Sequence, residues 1–312
     1  MRETQIVERI RALARETAHP PQLITGIGDD CAVFRPRAHE DLVFTTDFTI
    51  EGRHFLRETH TAFDVGYLAL ARSLSDLAAM GAGPAFCLVS LAIPADLESR
   101  WLTRFYRGLL SLARASEMAL AGGDLASSGC IIADVMCCGS VPRGKALTRG
   151  GAKPGDSIYA TGSLGTSALG LATRRGAAWR RHLRPQPRLA VGLALRNIPA
   201  TSAMDLSDGL SLDLKRLCRE SGVAADLTDD LPIAKGATLE QALHGGEDYE
   251  LLFTAPAKSR VPGSLAGVPV TNIGKIQRGR AGLVTFRGKP LEPLAFDHFA
   301  RSGAGKGTGH PS

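Results

Sequence analysis

The stretch "VPRGKALTRGGAKPGD", residues 141–156, holds four glycines, two prolines and four Lys or Arg residues in sixteen positions. Gly and Pro at this density interrupt both helix and strand, so the segment reads as a linker. It divides a chain of 312 residues, long enough for two domains of about 150 residues each. The reading gives an N-terminal domain over 1–145, a C-terminal domain over 146–300 and a disordered tail over 301–312, "RSGAGKGTGHPS". On both sides of the linker, apolar runs of strand length mix with longer segments of helical period. Some strands stand singly between helices and others come in consecutive pairs, which predicts an α+β fold with a mixed sheet in each half.

Apolar residues make up 44% of the chain and charged residues 22%, ordinary values for a soluble globular protein. The six cysteines show no CxxC or CxxH spacing and several lie in apolar runs such as "IIADVMCC", so they read as reduced core residues. The opening "MRETQIVERIRALARE" is amphipathic and lacks the apolar core of a signal peptide; a cytoplasmic protein without a membrane segment is expected. The net charge of +6 is concentrated in "RRGAAWRRHLRPQPR", residues 174–188. That run reads as a solvated face or linker; no nucleic-acid fold signature accompanies it, and an anionic small-molecule substrate accounts for the positive field equally well.

The acids carry the chemistry. "GIGDDCAVF", residues 26–34, sets Asp29 and Asp30 ahead of an apolar run. Asp47 closes "LVFTTD" beside Thr45 and Thr46, Asp124 closes "MALAGGD", and Asp205 and Asp208 lie in "MDLSDGL" where a strand yields to a helix. Glu247 precedes a strand in "HGGEDYELLF", and Asp76 sits on an apolar helix in "LSDLAAM". Each has a local reading as well. Asp205 or Ser207 can cap the following helix, Glu247 and Asp248 can be turn acids, and Asp76 can pair with Arg72 four residues earlier. Taken together they point elsewhere. Strand ends meet at one edge of a sheet, and several carboxylates brought close cannot all ionise without cations. Carboxylate and hydroxyl oxygens suit Mg²⁺, and Mg²⁺ favours phosphate partners, so a nucleotide or other polyphosphate is the expected ligand. No P-loop, dinucleotide fingerprint or protein-kinase set is present. "TGSLG", residues 161–165, leads into a helix whose N-terminus can hold an anion, or serves as a tight turn with close packing. Arg149 in "ALTRGG" is a fork donor suited to phosphate.

"GIGDDCAVF", "TTDFTIEGRHF", "SLSDLAAMGAGP", "AGGD", "ALTRGGAKPGD", "TGSLG", "MDLSDGLSLDL" and "GGEDYELLFT" occur in this order and together resemble the thiamine-monophosphate kinase family. That family is part of the ATP-binding superfamily that includes aminoimidazole ribonucleotide synthetase. The resemblance spans about residues 24–299. It implies a homodimer joined through the N-terminal sheets, with ATP as co-substrate and thiamine monophosphate as phosphate acceptor. It implies a Mg²⁺ shell of Asp30, Thr45, Thr46, Asp47, Asp76, Asp124, Asp205 and Asp208, of which Asp30, Asp47, Asp124 and Asp205 are catalytic. It further implies nucleotide contacts from Tyr106, Gly123, Asp124, Arg149 and Ser207, and substrate contacts from His54, Glu247 and Phe296. Phe296 stands where the family often has Tyr. The reactive N-terminal Cys of selenophosphate synthetase and the C-terminal Cys of the hydrogenase maturation enzymes have no counterpart here, and "GGEDYEL" fits aminoimidazole ribonucleotide synthetase poorly. A non-catalytic nucleotide- or thiamine-binding protein needs fewer acids, and an RNA-binding protein would rely on the arginine run alone.

Overall fold

Residues 3–15, 17 and 19–294 are described by a computed structural model of the chain. The N-terminal half runs α1 (Glu3–Ala14), β1 (Leu23–Thr25), β2 (Val33–Phe34), β3 (Glu40–Ile50), α2 (Ala62–Ala79), β4 (Gly83–Ile93), α3 (Ser99–Ala115), β5 (Ala119–Ser127) and β6 (Ile132–Pro142). Four of these strands form a sheet in the order β3-β6-β4-β5, antiparallel except for β4 against β5. Helices α2 and α3 cover one face of it around a core that includes Leu70, Leu74, Leu77, Phe105, Leu109, Val135 and Cys137. The two helices cross so closely that a Cβ on Gly66 would meet the Phe105 carbonyl oxygen at 1.9 Å, and one on Gly108 the Phe63 oxygen at 1.9 Å. Bulk at either position would force the helices apart. The other face is partly open, with Phe44 59% and Phe48 54% exposed. Beside them, the β1–β2 hairpin packs Leu23 and Phe34 on Phe86.

The C-terminal half contains β7 (Asp156–Thr161), α4 (Thr166–Thr173), α5 (Gly176–Leu183), α6 (Leu189–Leu195), β8 (Ser202–Asp205), α7 (Leu210–Ser221), β9 (Ala224–Leu227) and α8 (Leu239–His244). It continues with β10 (Leu251–Pro256), β11 (Ser264–Leu265), β12 (Val268–Gln277), β13 (Val284–Phe286) and β14 (Lys289–Pro290). Its sheet has the order β14-β13-β9-β12-β7-β10-β8, with β11 paired on β12. The fold is thus α+β, and among the described residues the main sheets of the two halves share no strand. The expected segment 301–312 lies outside the described residues.

Helix α2 explains how the halves meet. Fourteen of its residues are buried, as in a helix that is apolar nearly all round and enclosed on several sides. One side packs on the N-terminal sheet. The other carries Ala78 and Ala79 into a cluster with Val191, Leu195, Ala203, Leu251 and Phe253 of the C-terminal half. A Cβ at Gly192 would stand 2.0 Å from the Ala78 carbonyl oxygen, so α6 lies directly on α2. The arginine run does not form a solvated face throughout. Its Arg181 and Arg188 reach the buried Glu250 at 3.1 and 2.7 Å, and Arg184 reaches Asp64 of α2 at 2.6 Å while lying over the Phe63 ring. Desolvated carboxylates need such partners, and α5 with its flanks supplies them, within the C-terminal half to Glu250 and across the domain boundary to Asp64.

Candidate functional site

Two acids expected at strand ends lie inside strands: Asp47 within β3 and Asp124 within β5. What places them is strand alternation, which sends neighbours to opposite faces. Thr45 pairs with Cys137 and Asp47 with Val135, both fully buried on the helix-covered side. Thr45 accordingly donates its hydroxyl proton to Asp76 of α2. Asp47 points the same way and lies 3.7 Å from Arg72, one turn before Asp76. Arg72 therefore pairs with Asp47 and with Glu247, not with Asp76. Thr46 and Phe48 face the open side, where the Thr46 hydroxyl donates to Asp134. In register across the sheet, Phe48, Asp134, Ser90 and Asp124 form one row on that open side.

The C-terminal contribution comes from two motifs zipped together. Leu206 N–H donates to the Glu250 carbonyl at 2.8 Å, Tyr249 N–H to Leu206 at 2.9 Å, and Glu247 N–H to Ser207 at 2.7 Å. "MDLSDGL" and "GGEDYEL" thereby continue the β8–β10 pairing past the strand ends. Glu247 and Tyr249 hold positive φ, 63° and 50°, a conformation that non-glycine residues keep only where surroundings enforce it. The turn aims the Glu247 carboxylate at Arg72 (3.3 Å) and at His182 (3.6 Å). Helix α7 begins at Gly209 without a side-chain cap, so Asp205 and Ser207 are not helix caps. Asp208 offers its N–H to Asp213 at 2.9 Å, and Arg216 bonds to both carboxylates. The helix N-terminus after "TGSLG" is occupied from within: Asp248 accepts from Gly165 N–H at 2.6 Å and Ser167 N–H at 2.9 Å. An anion does sit there, and it is the protein's own side chain.

Between the halves lies a cavity of about 1020 Å³. Seven expected site residues line it: Asp47, His54, Asp76, Asp205, Ser207, Asp208 and Glu247. His54 is held by its Nδ1, which accepts from Ile50 N–H at 2.9 Å. Burial pushes the Asp47 carboxyl up to about 6 in spite of Arg72. Burial and then the neighbouring Asp76 drive Asp205 well above the usual carboxylate range, although Ser75 Oγ donates to it at 2.8 Å. Burial raises Asp76 and Glu247 too. Desolvation and mutual repulsion disfavour the charged forms of these groups, as expected where a cation is to bind. Among the described residues, no three Asp, Glu, His or Cys side chains stand in metal-ligand spacing.

Other expected residues lie elsewhere. Asp30 is exposed on the β1–β2 hairpin, and Thr46 and Asp124 are exposed on the open sheet face. Gly123, with φ 155°, lets β5 run against β4, since a Cβ there would meet the Val89 oxygen at 1.9 Å. Arg149 is exposed, and its charge reaches Asp76 and favours the carboxylate. Tyr106, expected as a nucleotide contact, is 3% exposed inside the N-terminal core against Phe105 and does not line the cavity. Phe296 lies outside the described residues. Sequence reasoning missed Arg72 as a lining residue, the Thr46 partner Asp134, and the Asp213–Arg216 pair behind Asp208. Lone charges in apolar runs, "IIADVM" and "GLSLDL", were the available signal.

Residues 28–141 match the AIR synthase related protein N-terminal domain and residues 153–285 its C-terminal domain. The chain is 42% identical over 303 residues to the thiamine-monophosphate kinase of Salmonella typhimurium, covering 88% of this chain and 92% of that one. It superposes on the thiamine-monophosphate kinase of Stenotrophomonas maltophilia with a TM-score of 0.80 at 38% identity, covering 93% of this chain and 98% of that one. It also superposes on AaThiL complexed with AMPPCP and TMP, with a TM-score of 0.78 at 31% identity over 96% and 99% of the two chains. On these likenesses, the chain belongs to the thiamine-monophosphate kinase family of AIR synthase related proteins.

Proposed function

We propose that the protein transfers the γ-phosphoryl group of ATP to the phosphate of thiamine monophosphate, giving thiamine diphosphate and ADP. The observation that carries this reading is the meeting of Asp47 and Asp76 from one domain with Asp205, Asp208 and Glu247 from the other around one cavity. The donor set fits magnesium: carboxylate and hydroxyl oxygens, with the buried acids raised by desolvation and, to a lesser degree, by one another. Mg²⁺ keeps several waters and shares phosphate ligands, so a cage built from protein alone is not needed. Asp47, Asp76, Asp205 and Asp208 with Thr45 would hold it on the cavity side. Asp30, Thr46 and Asp124, with Gly123, would serve the nucleotide side, and Arg149 and Ser207 would contact ATP from the cavity side. Bound there, magnesium supplies charge neutralisation to two polyanions that must approach each other.

The chain's own residues position the reactants. His54 and Glu247 hold the acceptor, together with Phe296. The acceptor phosphate is anionic near neutral pH, so transfer is direct and in line, without a general base and without a phosphohistidine. The open sheet face that exposes Phe44 and Phe48 supports pairing with a second copy of the chain. Among the described residues no helix is long and apolar enough to cross a membrane, in keeping with a cytoplasmic enzyme. Incubation with ATP, Mg²⁺ and thiamine monophosphate tests the reading. Thiamine diphosphate is the expected product, and free thiamine in parallel should yield none. Absence of product from thiamine monophosphate overturns the reading.

A further inference from the structure

Two other arginines meet buried carboxylates closely: Arg184 Nε lies 2.6 Å from Asp64, and Arg188 Nε 2.7 Å from Glu250. Arg72 differs. Its Nη1 is 3.3 Å from Glu247 and its Nη2 3.7 Å from Asp47, whereas charge-assisted bonds run about 2.7–2.9 Å. Its Nε is buried and has no hydrogen-bond partner among the described residues. The side chain is only 15% exposed, yet it forms part of the cavity wall. A desolvated guanidinium with one idle donor and two slack ones is costly unless a further anion completes it. The other arginines of the cavity have different situations. Arg216 is engaged by Asp208 and Asp213, and Arg53 is exposed on the loop after β3.

Arg72 also stands between Asp47, on the magnesium side, and Glu247, on the substrate side. Resting on the function proposed above, we propose that Arg72 binds the phosphate of the acceptor, so that the enzyme distinguishes a phosphorylated thiamine from free thiamine by this fork. The guanidinium offers a planar pair of donors to two phosphate oxygens, and it supplies positive charge where donor and acceptor phosphates converge. Glu247 and Asp47 hold the side chain in place until the ligand arrives.

The test compares wild type, R72Q and R72K by calorimetry in Mg²⁺ and a non-hydrolysable ATP analogue, with thiamine monophosphate and free thiamine as separate ligands. R72Q should lose at least about tenfold in affinity for thiamine monophosphate. Its affinities for free thiamine and for the ATP analogue should stay within about twofold. R72K keeps the charge without the fork and should fall between the two. Equal losses for both thiamine ligands, or an unchanged preference for the phosphorylated one, overturn the proposal. If R72Q does not fold, the R72K preference decides, and an undiminished preference there counts against the role. A wild-type protein that neither binds nor phosphorylates thiamine monophosphate overturns the function itself, a result separable from any behaviour of the variants.

Discussion

Ser75 of α2 donates its hydroxyl proton to the Asp205 carboxylate at 2.8 Å, across 130 residues of chain and from one domain to the other. Ser75 is fully buried and Asp205 is 3% exposed, so this bond acts in a low-dielectric setting, where an unmet carboxylate is expensive. Replacing Ser75 by Ala should lower stability by roughly 1–3 kcal/mol and should reduce kcat more than it raises KM for ATP, because Asp205 loses its orientation. Urea unfolding and steady-state kinetics check this. Unchanged stability together with full kcat would rule out a positioning role for Ser75.

The arginine run supports the fold through Glu250. Glu250 is 2% exposed and meets Arg181, Arg188 and Thr161. E250A leaves two half-buried arginines without their carboxylate, and breaking a buried pair of this kind costs about 3–5 kcal/mol. A large drop in the urea midpoint is expected in E250A, with little change in R174A, whose residue terminates α4 at the surface. Equal, small effects in both would mean that the run is merely solvated.

His182 gives a pH signature. Burial holds it at about 4 in the folded protein, against 6.5 for an ordinary imidazole. Between these values the unfolded chain binds the proton and the folded chain does not. The stability that His182 contributes is therefore fully present above about pH 6.5 and is lost as pH falls toward 4, by an amount of order a few kcal/mol. His60, 5.8 Å away, is pushed in the same direction. The slope of unfolding free energy against pH over this range should be shallower in H182Q than in wild type. An identical slope would remove His182 from the account of acid sensitivity.

Asp47 and Asp124 should separate activity from folding. D124A changes an exposed side chain on the open sheet face and should leave the thermal midpoint nearly unaltered while abolishing turnover. D47N removes a carboxylate that burial disfavours and should leave the metal-free protein equally stable or more so, again without turnover. Near-normal kcat in both variants would contradict the roles proposed for these acids.

How much of this was legible beforehand varies by element. Helix α2 and strands β3, β4 and β6 follow from apolar periodicity, because each is long and commits a whole face to the core. The short strands β9 and β11 and helix α8 lie in segments whose pattern is too brief to stand out, and they exist through pairing with β12 and packing on α7. The acids were recognisable as a set, yet their faces were not: Asp47 and Thr46 are neighbours in sequence and point to opposite sides of one sheet. Arg72 finds Glu247 175 residues away, and Asp248 fills the N-terminus of α4 from 83 residues beyond. No local spacing carries such pairings. They depend on two domains closing on one helix.

In the proposed function, acids from the two domains jointly hold magnesium. The most direct measurement is the thermal midpoint of wild type, D76N and D205N as Mg²⁺ is raised, with no nucleotide present. A ligand that binds only the folded state raises the midpoint in proportion to its occupancy. The expected result is a clear rise for wild type and little or none for either variant, although one change lies in the N-terminal domain and the other in the C-terminal domain. A rise of equal size in all three proteins, or none in wild type, would contradict it.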